Sequence, residues 1–282
     1  MLNDEYRDAH GFIPFDEARI LSEIRQRGLR VLVAEENGDV LGLIGTHTHT
    51  EENLEEHISW LAARGGRNQQ AIEHLLVDAV ENAAGGRAVM TMIAEDDPRI
   101  TDWVHRGYTL QAGFLQMSAK MEGLRPVPAV SEGIELRSLR RGEEEQLVTA
   151  MNAGFGWQRL KPSDLETWKA EHSPFTEEWI QIAETGGRIA SAVVARPDTD
   201  AVRLLNLKRG HLGPAATLPE FRNNHLASAL TARAMNFLFK RGMNSVRLGT
   251  SEQNQPSIAL LRRLGFQVDV ARKTLRKELR TA

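Results

Sequence analysis

Apolar and polar positions along the chain switch repeatedly between a period of two and a period near 3.6. Residues 29–34 alternate, with Leu29, Val31 and Val33 on one side, and predict a strand. Glu36-Asn37-Gly38-Asp39 follows as a hairpin turn, because Asn-Gly accepts positive φ, and 40–46 predict the return strand. A third apolar stretch spans 57–62. Residues 68–84 predict a helix with Ala71, Leu75, Leu76 and Ala79 on one face, ended by Gly85-Gly86. A Val/Met/Ile-rich strand (87–94), a short helix (98–106) closed by Gly107 and an extended stretch (108–121) complete the first half. Ahead of them, 15–27 read as one amphipathic helix.

Residues 122–133 hold Pro126, Pro128 and two glycines and read as a linker. Beyond it come a short strand with Ile134, Leu136 and Leu139, a helix at 143–153, and a helix that Ser163 caps, with Glu166 three residues on. Strands at 179–183 and 189–195, an extended stretch at 209–218, a long helix at 223–241, a strand at 244–250, a short helix at 255–264 and an extended tail to 279 follow. Hairpin, strand, long helix, strand, short helix, strand: this order occurs twice. Arg67-Asn68 and Arg222-Asn223 open the two long helices, with Leu75 and Leu230 eight residues past each Arg, and Arg106-Gly107-Tyr108 matches Leu264-Gly265-Phe266. The chain therefore divides into residues 1–124, a linker at 125–132, and residues 133–282.

Length agrees with this division, since 282 residues is about twice a common domain. The formal net charge of -3 disfavours a nucleic-acid partner held by bulk electrostatics. With no cysteine, disulfides, thiolate metal sites and a cysteine nucleophile are excluded. The start, Met1-Leu2-Asn3-Asp4-Glu5, is unlike a secretory signal, and no apolar run is long enough to span a membrane. A cytoplasmic protein with no membrane partner, a monomer or homodimer, is the default expectation.

The chemistry concentrates in Thr217-Leu218-Pro219-Glu220-Phe221-Arg222-Asn223-Asn224-His225-Leu226-Ala227, where a strand runs into the start of a long helix. Amides at a helix start lack intrahelical partners and sit at the positive end of the dipole, so such a corner suits phosphate. It is neither a Walker loop nor a Rossmann turn, because no Gly-Lys-Ser/Thr and no glycine triplet is present. The segment resembles the signature of the GCN5-related N-acetyltransferase (GNAT) superfamily, Val-x-Pro-x-Tyr-Arg-x-x-Gly-x-Gly/Ala. It stands here as Thr217-x-Pro219-x-Phe221-Arg222-x-x-His225-x-Ala227. Asn254, opening a short helix that closes on Leu264-Gly265-Phe266, matches the family's downstream motif. The resemblance covers 133–279.

The resemblance implies an α/β (α+β) fold: two GNAT-like domains in tandem, each a mixed, mostly antiparallel twisted sheet flanked by helices, with splayed fourth and fifth strands. It implies acetyl-CoA as co-substrate and no metal. The pantetheine arm would pair with backbone at Ala215, Ala216 and Thr217. The pyrophosphate would sit at Arg222, Asn223, Asn224, His225, Leu226 and Ala227, and Asn254 and Ser257 would face the cofactor. Gly213-Pro214 fits a bulge in the fourth strand. The implied activity is acetyl transfer to a primary amine of a small molecule or peptide by direct attack. An oxyanion donor on the fourth strand and a proton for the leaving thiolate are then required.

Two departures stand out. The Tyr that family members often use as general acid is Leu261 here, and His225 replaces a Gly that lets backbone approach phosphate. Glu252 and His211 are the candidates for a base, each with an ordinary reading beside it, and a water chain is the alternative to both. The first half offers Gln69-Gln70-Ala71-Ile72 at the matching corner, where Ile72 would crowd phosphate, and lacks the usual first strand. It reads as a degenerate, truncated copy that covers a sheet edge or shapes the acceptor pocket. His47, His49 and His57 with Glu51, Glu52, Glu55 and Glu56 are read as a solvated polar loop ahead of a metal site, since no ligand motif matches. Trp157, Trp168 and Trp179 are read as core ahead of an acceptor pocket, and Arg262-Arg263 and Arg272-Lys273 as surface charge. Loss of the Tyr keeps open a non-catalytic coenzyme A-binding sensor or scaffold. Aminoacyl transfer from charged transfer RNA is disfavoured by the near-neutral charge.

Overall fold

Two helices, α1 (Leu2–Tyr6) and α2 (Glu17–Arg27), open the chain in a computed structural model that describes residues 1–9, 11–48, 55–85, 87–171 and 175–279. Asp16 caps α2 by accepting the Arg19 N–H at 2.9 Å, and Gly28 ends it at φ 61°. Then come β1 (Arg30–Glu36), β2 (Asp39–Thr48), β3 (Glu56–Ala63), α3 (Gln69–Ala83), β4 (Val89–Ala94), α4 (Ile100–His105) and β5 (Thr109–Lys120). The second half holds β6 (Glu135–Ser138), α5 (Glu144–Phe155), α6 (Pro162–Glu171), β7 (Ile180–Thr185), β8 (Arg188–Pro197), α7 (Thr199–Leu205), β9 (Arg209–Thr217), α8 (Leu226–Lys240), β10 (Ser245–Ser251), α9 (Gln255–Arg263) and β11 (Gln267–Lys277). No helix among the described residues is long and apolar enough to cross a membrane. The fold is mixed α/β with mostly antiparallel strands flanked by helices.

The chain forms two compact units, and they do not coincide with segments 1–124 and 133–282. The first comprises Met1–Leu115, Ser251–Gln253 and Asp269–Ala282; the second comprises Gln116–Thr250 and Asn254–Val268. In the first unit the strands lie in the order β1-β2-β3-β4-β11-β5. The last strand of the sequence is thus an interior strand of the first unit, antiparallel to β4 from Arg272↔Ala94 to Lys277↔Val89. Leu275 on β11 is fully buried with Ile44, Val80, Trp103 and Tyr108. In the second unit the order is β5-β10-β9-β8-β7-β6, and Leu147, Met151, Ile180, Ile182 and Val194 centre the core.

The two halves share irregularities as well as element order. Both hairpins are two-residue loops at positive φ, Asn37-Gly38 and Gly186-Gly187. Both carry a bulge in the returning strand, which leaves Leu41 and Ala190 out of register. Each bulged carbonyl accepts a matching bond, Arg64 N–H to Leu41 at 2.8 Å and Leu218 N–H to Ala190 at 2.9 Å. Each short helix closes alike, with Tyr108 N–H on the Trp103 carbonyl at 3.1 Å and Phe266 N–H on the Leu261 carbonyl at 3.0 Å.

Several expectations are corrected. The buried face of α3 is Leu76, Val77 and Val80 with Ile72 against it, and Leu75 is 61% exposed. Ile72, Leu76 and Val80 make a longer apolar stripe at i, i+4, i+8 than the one expected. The matching residues of the two long helices are therefore Leu76 and Leu230, one position later than Leu75. Ser163 lies inside α6, which starts at Pro162, and Asp164 accepts the Lys161 N–H at 2.8 Å instead. The long helix starts at Leu226, because Asn223 and His225 before it are left-handed, with φ 66° and 60°. The stretch after β5 is anchored in the second unit: Arg125 N–H meets Asn236 Oδ1 at 2.7 Å, and its guanidinium meets the Leu264 carbonyl at 2.8 Å.

Candidate functional site

The second unit holds a gap between two parallel strands. β9 pairs with β10 only from Arg209↔Ser245 to His211↔Arg247, although β9 runs on to Thr217. The register of β9 against β8 shifts by one residue between Val193↔Ala215 and Ala195↔Leu212, which places a bulge at Gly213-Pro214, as expected. Backbone polarity along β9 follows from hydrogen-bond alternation. The Leu218 N–H turns to β8, where it meets the Ala190 carbonyl, and the Ala216 carbonyl turns the same way to accept the Ser191 hydroxyl at 2.9 Å. Ala215 and Thr217 therefore direct their N–H and C=O away from β8, and Ala216 is spent on the sheet.

Below this strand α5 comes very close. A Cβ on Gly154 would stand 2.8 Å from the Ala216 side chain and 3.3 Å from the Thr217 carbonyl. The Gly154 carbonyl also accepts the Arg222 guanidinium at 3.0 Å. That bond ties the loop after β9 to the end of α5, so the Arg222 side chain is an anchor for the corner. Nothing in the sequence pattern marked Gly154.

The corner itself is a turn with two left-handed residues. Asn224 Nδ2 bridges the carbonyls of Phe221 and Arg222 at 3.2 and 3.3 Å, closing the turn from inside. His225 takes the position where a glycine would cost nothing, and His is one of the residues that tolerates positive φ. Its side chain is exposed and forms no cap bond, so it leaves the helix start clear. The first turn of α8 carries no acidic residue. A bare helix start with no carboxylate suits an anion.

Asn254 and Ser257 are joined to each other: Asn254 Oδ1 caps α9 by accepting the Ser257 N–H at 3.2 Å. Leu261, at the usual Tyr position, is buried in the core at 3% exposure. His211 does not titrate near neutrality. Burial, with Arg196, Arg247 and Arg209 around it, pushes its imidazole down to about 3 against the opposing pull of Asp198. Arg196 and Arg247 are its cross-strand neighbours on β8 and β10. Asp198 accepts from Arg209 and Arg247 at 2.8 and 2.9 Å.

Glu252 belongs to the first unit, where Lys273 Nζ lies 2.8 Å from its carboxylate and the Gly113 carbonyl accepts its N–H at 3.0 Å. The Lys273 hydrogen bond first, then the Gly113 backbone, hold its carboxyl below the usual range. Trp179 is buried, Trp168 packs on the cluster around Leu147 and Ile180, and Trp157 is 46% exposed beside Phe155 and Arg159. Among the described residues no group of three His, Cys, Asp or Glu is placed to hold a metal ion. The His47 and His57 rings lie 5.3 Å apart at a tilt of 37°, and Ser59 Oγ lies 3.1 Å from His47 Nδ1. His49, Glu51 and Glu52 lie outside the described residues.

Known proteins match this arrangement. Residues 138–266 match the Acetyltransferase (GNAT) family. The chain is 26% identical over 231 residues to the mycothiol acetyltransferase of Saccharomonospora viridis, covering 73% of this chain and 74% of that one. A tandem GNAT protein from the clavulanic acid biosynthesis pathway superposes with a TM-score of 0.73 at 15% identity, over 98% of this chain and 92% of that one. A GCN5-related N-acetyltransferase from Sphaerobacter thermophilus gives a TM-score of 0.72 at 16% identity, over 89% and 81%. The chain carries the GNAT-superfamily acetyltransferase fold.

Proposed function

We propose that the protein transfers an acetyl group from acetyl-CoA to a primary amine of a small molecule or peptide, by direct attack at a site in the second unit. The observation that carries this reading is the gap where β9 leaves β10, ending at a helix start free of carboxylates. The residues fit such a ligand. Ala215 and Thr217 offer strand N–H and C=O groups to an extended amide chain, and the amides from Asn223 to Ala227 offer a cradle to a pyrophosphate. Ala227 keeps the cradle shallow. Asn254 fixes the start of α9, and Ser257 lies in the first turn behind it. The co-substrate supplies a thioester, whose acyl carbon is open to an amine. The related mycothiol acetyltransferases favour acetyl as the acyl group.

Both segments, 1–124 and 133–282, are read as copies of one domain plan, the second lending its final strand to the first unit. Neither titratable candidate has the basicity that deprotonating an amine near neutral pH asks for. His211 is held neutral far below pH 7, and Glu252 is held ionised by Lys273. Solvent then takes the proton from the amine and returns one to the departing coenzyme A thiolate, and kcat/KM rises with pH toward the pKa of the acceptor amine itself. The decisive experiment is calorimetric titration with acetyl-CoA. One site per chain is expected, with affinity lost at least about tenfold in Ala227→Trp through crowding of the cradle. Full affinity in that variant would remove the pyrophosphate corner from the reading.

A further inference from the structure

The first unit has the same kind of gap, and the chain fills it with its own residues. β3 pairs with β4 only from Glu56↔Val89 to Ile58↔Thr91 and then runs on to Ala63 with β2 but without β4. The Arg64 N–H turns to β2, so by alternation Leu61 turns its N–H and C=O away from β2, toward the gap. Tyr6 of α1 meets both: its hydroxyl accepts the Leu61 N–H at 3.0 Å and donates to the Leu61 carbonyl at 3.3 Å. The phenol is half-buried, and desolvation pushes its pKa up. The neighbouring Glu5 carboxylate accepts the Arg99 guanidinium at 2.6 Å and Gln69 Nε2 at 3.5 Å. Gln69 is the first residue of α3, and Arg99 immediately precedes α4. Leu2 in the core and the reciprocal bonds of Asn3 with Phe15, at 2.9 and 2.6 Å, hold α1 in place.

The shared irregularities fix which residues of the two units correspond. Arg64 matches Leu218, so Leu61 matches Ala215. Trp103 matches Leu261, so Arg99 matches Ser257. Leu76 matches Leu230, so Glu73 matches Ala227, and Ile72 matches the buried Leu226, turned inward onto Gly42 rather than into the corner. A polar group on the strand backbone is thus followed by an anion near the start of the long helix. That is the order in which a pantetheine amide and a pyrophosphate meet the second unit in the reading above. We infer that the Glu5–Tyr6 pair is a built-in ligand of the first unit, seated where a coenzyme A arm would otherwise lie, and that it closes this groove to acyl-CoA. The hollow that remains is lined by Gln70, Glu73, His74, Arg99, Asp102 and Arg106. Glu73 and Asp102 there set like charges against any phosphate, while Arg99 is already paired with Glu5 and Asp97 and Arg106 with Asp78 and Glu81.

The inference takes the chemistry of the groove from the proposed function, but the seating of the pair stands by itself. Tyr6→Phe keeps the ring and removes the hydroxyl. In the full-length variant, hydrogen exchange at the Leu61 amide should rise about tenfold, the loss of one buried hydrogen bond, while the Arg64 amide keeps its rate. An unchanged Leu61 rate would overturn the seating of Tyr6. Native mass spectrometry with excess acetyl-CoA should show one equivalent bound to the wild-type chain. A second equivalent, persisting when the second unit is blocked by Ala227→Trp, would overturn the closed groove. Zero equivalents together with a responsive Leu61 amide would leave the built-in ligand standing and count against the site in the second unit.

Discussion

Arg64 and Leu218 make matching hydrogen bonds to matching bulges, and three residues upstream the two units part ways. At Leu61 the strand's outward N–H and C=O are met by a tyrosine from the same chain; at Ala215 a residue with a minimal side chain leaves them to whatever enters. The helix starts beyond differ in the same sense. Glu73, Gln69 and the Glu5–Arg99 pair crowd the first, whereas the second presents Ala227, Ser228 and a turn without carboxylates. One backbone plan therefore yields a filled groove or an open one through a handful of side chains. An unpaired strand edge has to be met by something, because buried backbone groups left without partners are costly.

The largest expected effect tests how the units are built. Leu275→Ala, at the far end of the sequence, should lower stability by about 2–5 kcal/mol in urea titrations and loosen the packing around Trp103 and Tyr108. A loss confined to the second unit's core would break the assignment of β11. Next comes a matched pair of glycines. Gly154→Val forces a side chain against Ala216 and should weaken acetyl-CoA binding at least about tenfold, a cost of the size of an overpacked core site. Gly42→Val meets Ile72, with 2.6 Å to its nearest atom, and should cost about 1–3 kcal/mol of stability with affinity untouched.

A smaller effect separates the sheets by pH. The His211 imidazole is lowered from 6.5 to about 3 in the folded chain, so below pH 6.5 the unfolded chain takes up a proton that the folded one does not. Stability from this site is present above pH 6.5 and is lost as pH falls toward 3. His211→Asn should flatten that slope in denaturation measured across the range. The smallest effect is at the sheet edges. Val33 on β1 is 53% exposed, whereas its counterpart Ile182 on β7 is fully buried and flanked by β6. Val33→Thr should stay within about 0.5 kcal/mol, while Ile182→Thr should cost about 2–4 kcal/mol. Equal costs would erase the distinction between a bare and a covered first hairpin.

Much of this plan is legible in the residues, for local reasons. Asn37-Gly38 and Gly186-Gly187 announce hairpins, Gly28 and Gly242 announce helix ends, and Gly213-Pro214 announces a bulge, because each needs a backbone state that few residues allow. The corner from Thr217 to Ala227 is legible as a motif. What stays hidden is tertiary. Leu-Asn-Asp-Glu-Tyr is a polar, five-residue helix with no periodicity to detect, and its role depends on Leu61, far along the chain. α7 is short, and its cap by Asp198 looks like any loop acid until Arg209 and Arg247 close on it. The helix face of α3 is misread by one residue because Leu75 is apolar yet points outward. Above all, the order of strands in space is not the order in sequence, and no pattern in residues 267–277 says which unit they complete.

That last placement has a consequence in time. A ribosome delivers β1 to β4 early, yet β11, the neighbour of β4 on the side away from β3, emerges after the whole second unit has been made. Until then the edge of β4 lacks its neighbour and Val80, Trp103 and Tyr108 lack the Leu275 side chain. During synthesis the first unit is thus the last to close, and the nascent chain carries an open sheet edge that chaperones or a neighbouring polysome can meet.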